Sequence, residues 1–312
     1  MKAVRLHAHT GAAGLVYEDA PAPKPAAGEV LIRVHAAAVT PTELGWAPTA
    51  TTRTGTPRPL PLVPGHEFSG VVAAIGPDVR DLAAGDAVFG MNDWWADGAQ
   101  AELCVARAVD VAPKPRSVDH VQAAVTPISA LTAWQGLIER ARLAAGQRVL
   151  IHGAAGGVGL FAVQLARWRG AHVIGTASAR NLEFVRGLGA DEVIDYRSTP
   201  FEDVVRDVDV VFDTVGGETL ERSWGVVRPG GVVVTIAASE ENTRSPRARG
   251  AFFIVEPSRA QLVEVARLID DGALRPVVGA IVPLERARDA YEHAPPHGKT
   301  VLRVAESQTE LP

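Results

Sequence analysis

The sequence predicts an α/β chain of two domains, one β-rich and discontinuous, the other a doubly wound parallel sheet. Three observations predict it. The chain has 312 residues, too many for one core of ordinary size. Its first third reads as short strands broken by turns. From about residue 148 strands and helices alternate, which is the signature of a parallel sheet covered by helices on both faces.

Composition sets the outer bounds. Hydrophobic residues make up 47% and charged residues 21%, a globular balance. A formal net charge of −5 argues against a broad surface for nucleic acid or anionic lipid. The one cysteine, Cys104, rules out an intramolecular disulfide and a Cys-rich metal lobe. No apolar run approaches the roughly 20 residues of a membrane span, and the first residues lack a basic-then-apolar leader. The expectation is a soluble cytoplasmic protein with no nucleic-acid and no membrane partner.

In the first domain, Lys2–His7 and Glu29–Ala37 have strand character, with Pro21, Pro23 and Pro25 punctuating the stretch between them. Residues 40–62 are rich in Thr, Pro and Gly and read as a long loop of the kind that carries function. Strands resume at Ser69–Ile75, Asp86–Phe89 and Gln100–Ala106. From Asp119 to Leu143 the apolar spacing predicts helix. Then follow a strand at Arg148–His152, a helix at Gly157–Trp168, a strand at His172–Thr176 and a helix across Arg180–Leu188. Strands at Glu192–Asp195, Val208–Asp213 and Val232–Ile236 come next, with a helix near Glu218–Trp224. A helix at Arg259–Asp271, the strand Ala280–Val282, a helix at Leu284–His293 and the strand Thr300–Val304 close the chain. The expected division is 1–122 with 258–312 for the β-rich domain and 123–257 for the parallel sheet.

The strongest motif is the run from Arg148 through Ala154, Ala155, Gly156, Gly157, Val158 and Gly159, which reads strand, glycine turn, helix. Gly156 falls where backbone must approach a pyrophosphate, and Gly159 where helix must pack closely on strand. The helix N-terminus offers free N–H groups and a positive dipole end. Ala154 replaces the first glycine of the usual G-x-G-x-x-G pattern. The end of the next strand selects the cofactor. An acidic residue there would bind both ribose hydroxyls of NAD; this chain has Ala177-Ser178-Ala179-Arg180 instead. A carboxylate would repel a 2′-phosphate, whereas Ser178 donates to it and Arg180 pairs with it, so NADP(H) is expected.

With Leu131-Thr-Ala-Trp134, Leu188-Gly-Ala-Asp-Glu-Val-Ile-Asp-Tyr196, Asp213-Thr-Val-Gly-Gly217, Arg228-Pro-Gly-Gly231 and His297-Gly-Lys-Thr-Val-Leu302, this loop resembles the medium-chain dehydrogenase/reductase superfamily nearly end to end. Within it the chain is most similar to the zinc-independent quinone oxidoreductase (zeta-crystallin-like) branch. The resemblance implies a GroES-like β-rich catalytic domain interrupted by a Rossmann domain, and a homodimer. It places Ser178 and Arg180 at the 2′-phosphate and Tyr196 near the adenosine phosphate. Val215, Ala237 and Ala238 would border the ribose and nicotinamide, Phe253 and Val255 would close over the nicotinamide, and Lys299 would lie near the cofactor cleft.

Zinc enzymes of the superfamily need three protein ligands around an open position. Here the first is Thr40, the second His66 of Gly65-His66-Glu67, and the third Pro127 or Ile128, so the set is incomplete. Thr40-Pro41-Thr42-Glu43 resembles the Asn-Pro-x-Asp of zinc-free relatives. Without a Lewis acid, acceptors that take hydride readily become the expected substrates, namely quinones or conjugated enones. Thr40 is the candidate donor to the substrate oxygen, Glu43 the residue that fixes its loop, and Trp46 and Trp94 candidates for stacking on a flat ring. Two alternatives stand beside this reading. One is an enoyl reductase of polyketide or other secondary metabolism; the other is a non-catalytic NADPH-binding structural or regulatory protein.

Overall fold

A computed structural model describes residues 1–237 and 245–305. The chain divides into two compact units, Met1–Ile128 with Pro257–Gly272 and Pro276–Pro312, and Ser129–Glu256 with Ala273–Arg275. The first unit opens with β1 (Lys2–Leu6), β2 (Leu15–Asp19), β3 (Glu29–Ala38), β4 (Glu67–Ile75), β5 (Ala87–Met91), β6 (Leu103–Arg107) and β7 (Val111–Pro113). The second unit holds β8 (Arg148–Ile151), β9 (His172–Ala177), β10 (Glu192–Asp195), β11 (Val208–Asp213) and β12 (Val227–Thr235). The chain then returns to the first unit as β13 (Val278–Pro283) and β14 (Lys299–Arg303).

The first unit is built on β3. Val30, Ile32 and Val34 alternate inward at 0% exposure and meet Phe68, Val72, Val88 and Val111 in one core. Each such side chain, fully buried, contributes roughly 1.5–3 kcal/mol. The sheet runs β13-β14-β3-β4-β5-β7, with β6 also paired to β3. All of its pairs are antiparallel except β13 with β14, so the C-terminal strand enters beside β3 through Val301↔Ala38 and Leu302↔Ala37. That register carries Lys299 alongside the end of β3, from which Thr40 follows.

The second unit has the strand order β10-β9-β8-β11-β12, all parallel. Strands such as Val149-Leu150-Ile151 and Val210-Val211-Phe212 are buried on both faces, as a sheet covered by helices on either side demands. The order reverses between β8 and β11, the place where open α/β sheets leave a crevice for ligands.

Several expectations met physical corrections. β2 lies in the stretch read as prolines and turns; its Leu15–Asp19 pairs with β1 in a separate two-stranded sheet. The helix expected from Asp119 to Leu143 is broken into His120–Ala124, Pro127–Trp134 and the π-helical Gln135–Arg140. Pro127 explains the first break, because a proline disfavours helical backbone at the residue before it yet suits the first position of a new helix. The loop at 40–62 contains two short helical turns, Glu43–Gly45 and Ala47–Ala50.

Candidate active site

In the first unit four sequence-distant residues converge behind the turn that follows β3. The buried Lys299 ammonium ion-pairs with Glu67 and donates to Thr40 Oγ1 at 3.1 Å. Glu67 is 0% exposed, and its other oxygen accepts from the Ile128 backbone N–H at 3.0 Å. Burial raises the Glu67 carboxyl above its ordinary value, outweighing the Lys299 charge that lowers it. The pair is therefore a costly one to strip of either partner.

Glu43 acts on the same turn from the other side. Its side chain, 1% exposed, accepts from the Gly65 backbone N–H and lies 3.3 Å from His66 Nδ1. The His66 contact has ion-pair distance without hydrogen-bond alignment, and both ring nitrogens are without a hydrogen-bond partner among the described residues. Thr49 Oγ1 closes the turn by donating to the Glu43 carbonyl at 2.7 Å. Glu43 thus ties the Thr40 turn to Gly65 and His66.

Trp94 lies between two rings, edge-on to Trp46 at 5.4 Å and tilted on His66 at 5.1 Å. With 9% of its surface exposed, Trp94 is mainly packed, and the partly exposed Trp46 offers the more open face. A cleft of about 390 Å³ beside the turn is lined by Pro41, Leu44, Gly45, Ala50 and Tyr291. Gln100 Nε2 donates to the Tyr291 hydroxyl at 2.6 Å, and burial together with the Glu43 charge pushes that phenol well above its ordinary value. Gln100 and Tyr291 carry no local motif, and their partnership spans 191 positions.

The second unit builds its loop at the switch point. Gly153 has φ 68°, and a Cβ there would stand 2.3 Å from Thr214 Oγ1. That hydroxyl donates to the His152 carbonyl at 2.8 Å, joining the ends of β8 and β11. Gly156 N donates to the Gly153 carbonyl at 2.9 Å, and Gly156 caps the helix Gly157–Trp168 in extended conformation. A Cβ on Gly159 would come within 2.1 Å of the Gly153 carbonyl oxygen, so only glycine permits this helix–strand approach. At Gly156 the nearest atom to a Cβ is 3.3 Å away. That approach to a backbone oxygen is tight without being prohibitive, so internal packing favours glycine at Gly156 but demands it less than at Gly159.

Asp213 is a residue whose role the sequence did not reveal. Fully buried at the end of β11, its carboxylate accepts from the Val215 and Gly216 N–H groups and from Thr235 Oγ1 at 2.7 Å. Thr235 Oγ1 in turn accepts from Ala237 N at 3.2 Å, and Val215 and Ala237 are both exposed on segments that this network holds. Ala238 lies outside the described residues. Ser178 follows β9 partly exposed, Arg180 is exposed, and Tyr196 is 53% exposed where β10 ends. Tyr196 N donates to the Ala177 carbonyl at 3.2 Å, so the two strand ends share one rim. The nearby Asp195 carboxylate accepts from Arg197 N at 3.1 Å and from Ser198 Oγ at 3.3 Å, a local turn. Phe253 and Val255 point inward, Phe253 under the Arg140 guanidinium at 4.6 Å, and Ile254 at 65% exposure is the outward side chain of that segment.

Comparison with known proteins finds two family matches and many similar chains. Residues 26–116 match the family described as alcohol dehydrogenase GroES-like domain, and residues 188–302 match that described as zinc-binding dehydrogenase. The chain is 34% identical over 325 residues to the human NAD(P)H oxidoreductase RTN4IP1, mitochondrial, covering 88% of this chain and 82% of that protein. It is 35% identical over 279 residues to the chloroplastic NADPH-dependent alkenal/one oxidoreductase of Arabidopsis thaliana, covering 85% of this chain and 68% of that protein. Among solved structures, the quinone oxidoreductase of Coxiella burnetii superposes with a TM-score of 0.87 at 30% identity, covering 98% and 99% of the two chains. Among the described residues no helix is long and apolar enough to cross a membrane.

Proposed function

The chain belongs to the medium-chain dehydrogenase/reductase superfamily, in its quinone oxidoreductase-like branch, and on that premise we propose that it is a zinc-independent, NADPH-dependent reductase of quinones or conjugated enones. Its membership makes it an oxidoreductase with a GroES-like and a Rossmann part. The observation that carries the finer reading is the engagement of Lys299 with Glu67 and Thr40.

The description of one matching family names zinc, and the residues here do not fit that ion. Thr40 holds the first ligand position and already accepts from an ammonium. Glu67 is tied to Lys299 and to Ile128 N, and His66 is wedged between Glu43 and Trp94. A cationic Lys299 beside Thr40 would repel a divalent cation. Hydrogen-bond donation from the protein takes the place of a Lewis acid in this reading.

The residues of the second unit suit NADPH. The Gly153–Gly159 loop and the first turn of its 12-residue helix present backbone N–H groups for a pyrophosphate. Arg180 is exposed beside Ser178 with no carboxylate partner among the described residues, as a 2′-phosphate site requires. When bound, the nicotinamide supplies the hydride. Thr40 orients the acceptor oxygen, Glu43 and Gly65 hold the Thr40 turn, and Val215 and Ala237 offer a small apolar rim. Water supplies the final proton. The outer side of β12 carries no paired strand among the described residues beyond a single bridge to Phe252, which suits a homodimer formed through that edge.

The test is oxidation of NADPH and NADH with 1,4-benzoquinone and with 9,10-phenanthrenequinone, with and without a strong chelator. The expected result is chelator-resistant turnover that prefers NADPH. Chelator-sensitive turnover would overturn the zinc-free assignment. NADPH binding with no turnover of either quinone would favour an enoyl reductase or a non-catalytic role.

A further inference from the structure

We propose that Lys299 is the positioning residue that makes the Thr40 hydroxyl an obligatory hydrogen-bond donor to the acceptor oxygen, with Glu67 holding the ammonium in place. The inference rests on the reductase reading and adds to it a role for the buried ion pair.

The argument is one of proton inventory. An ammonium has three donors and no acceptor, whereas a hydroxyl has one proton to give and lone pairs to receive. Since Lys299 Nζ lies 3.1 Å from Thr40 Oγ1, the hydroxyl must accept from it. Thr40's own proton then has to go elsewhere, and no acceptor for it is found among the described residues. Thr40 is partly exposed, while Lys299 and Glu67 are buried, at 8% and 0% exposure. The free proton of Thr40 is therefore available to what enters from the open side, and the positive charge stands one atom behind it.

Such an arrangement strengthens the hydroxyl as a donor, because a hydrogen bond accepted from a cation polarises the bond donated onward. As hydride adds to the acceptor, the electron pair of its C=O or conjugated system moves onto oxygen. That oxygen becomes an anion and later takes a proton from water. A donor fixed at this oxygen before the reaction stabilises the charge as it forms without reorganising. Glu67 completes the device. Its carboxylate neutralises the buried ammonium, and its second oxygen is held by Ile128 N. The ion pair is thereby anchored to the backbone, and the direction of the Lys299 side chain is set.

The experiment compares wild type with T40V, T40S, K299M, K299R, E67Q/K299M and T40V/K299M in NADPH-dependent reduction of 9,10-phenanthrenequinone. The double change E67Q/K299M removes both buried charges and keeps an acceptor for Ile128 N, so it provides a folded charge-free variant should K299M leave Glu67 unpaired. T40V is expected to lower kcat by about 100-fold, the effect of losing one oxyanion donor. K299M and E67Q/K299M are expected to lower kcat by at least about 10-fold with the KM for NADPH unchanged. T40V/K299M is expected to be no slower than T40V, since both changes remove the same hydrogen bond. K299R and T40S are expected to restore most of the rate. Multiplicative losses in the double variant, or a rise in the KM for NADPH at constant kcat on losing Lys299, would overturn the proposal.

A turnover-free measurement separates this inference from the reductase reading. With NADPH bound, 4-nitrophenol is titrated into each variant and its ionisation followed by absorbance. Wild type is expected to hold the dye as phenolate at a pH where free dye is largely phenol, and T40V and E67Q/K299M are expected to hold it as phenol. Equal ionisation in all variants, or no ionisation shift in wild type, would overturn the Lys299–Thr40 assignment. If wild type turns over neither quinone, the reductase reading fails and the dye result alone decides the inference.

Discussion

His152 Nε2 lies 3.0 Å from Ser223 Oγ, and that hydroxyl gives its own proton to the Thr219 carbonyl at 2.6 Å, so His152 must be the donor. His152 Nδ1 is then the lone-pair nitrogen and receives Thr176 Oγ1 at 3.1 Å. A neutral imidazole satisfies both neighbours; a second ring proton would require the Thr176 hydroxyl to turn round and accept, and would leave a cation in a buried site. Burial moves the His152 pKa from 6.5 down to about 4. The same logic holds in the first unit, where Ser69 Oγ donates to Val88 O, accepts from His120 Nδ1 at 2.8 Å, and burial lowers His120 to about 4. His120 also stacks on His35 at 4.3 Å, where a second positive charge is unwelcome.

Stability is therefore expected to fall with acid. An unfolded histidine binds a proton below about 6.5 while the folded ones resist it down to about 4, so the stability these groups contribute is complete above about 6.5 and lost progressively as pH falls to about 4. For the buried His152 the loss is on the order of 3 kcal/mol, and the more open His120 adds less. Thermal melts between pH 7.5 and 4.5 would show it, and H152N should melt with a flatter pH dependence. An H152N melt that tracks wild type across the range would refute the assignment.

Arg180 is expected to carry the cofactor preference. Arg180→Gln should weaken NADPH binding by about 10–100-fold, the worth of a charge-assisted contact, and leave NADH binding nearly unchanged. Fluorescence titration with both nucleotides reads this directly. Equal losses for the two would remove Arg180 from the 2′-phosphate site.

Gly159→Ala places a methyl 2.1 Å from the Gly153 carbonyl oxygen, an atom of rigid backbone. The helix must shift, at about 1–3 kcal/mol, and the loop that it anchors shifts with it. Both a lower Tm and weaker NADPH binding are expected. Full retention of binding would show that the loop is not the phosphate site.

Asp213→Ala strands two backbone donors and the Thr235 hydroxyl in a buried setting. A loss of about 2–4 kcal/mol in unfolding free energy is expected from urea melts. Asp213→Asn should recover part of it, because an amide oxygen still accepts.

Cys104 is 2% exposed, and burial pushes its thiol up to about 12. Native protein is expected to resist a thiolate reagent at pH 8, and denatured protein to react with one equivalent. Fast labelling of the native state would mean that the β3–β6 pairing opens readily.

The elements that could be read in advance are those whose causes lie within a few residues. The helix Gly157–Trp168 was legible because a glycine turn, a dipole end and an apolar period sit in one continuous stretch. Strands β10 and β11 were legible from short runs of Val, Ile and Phe bounded by polar residues. β2 was not, since Leu15–Asp19 ends in acidic residues and becomes a strand only by pairing with β1. The candidate site divides the same way. The Gly153–Gly159 loop and the missing acid after β9 were visible as local order, whereas Thr40 and Glu43 after β3 were singled out only through the resemblance to a family.

By itself, then, the sequence determined the two-part α/β fold, the glycine turn between β8 and the helix Gly157–Trp168, and the residue types available for chemistry, because each follows from periodicity or from the conformational demands of neighbouring residues. Which of those residues act on one another was decided only by tertiary structure. Lys299 meets Thr40 across 259 positions and Glu67 across 232, because β14 returns to pair with β3 after the whole second unit has intervened. His152 acquires its tautomer from Thr176 and Ser223, which are 24 and 71 positions away. Proton positions and buried charges depend on such partners, and no local pattern encodes a partner that the chain supplies only by folding.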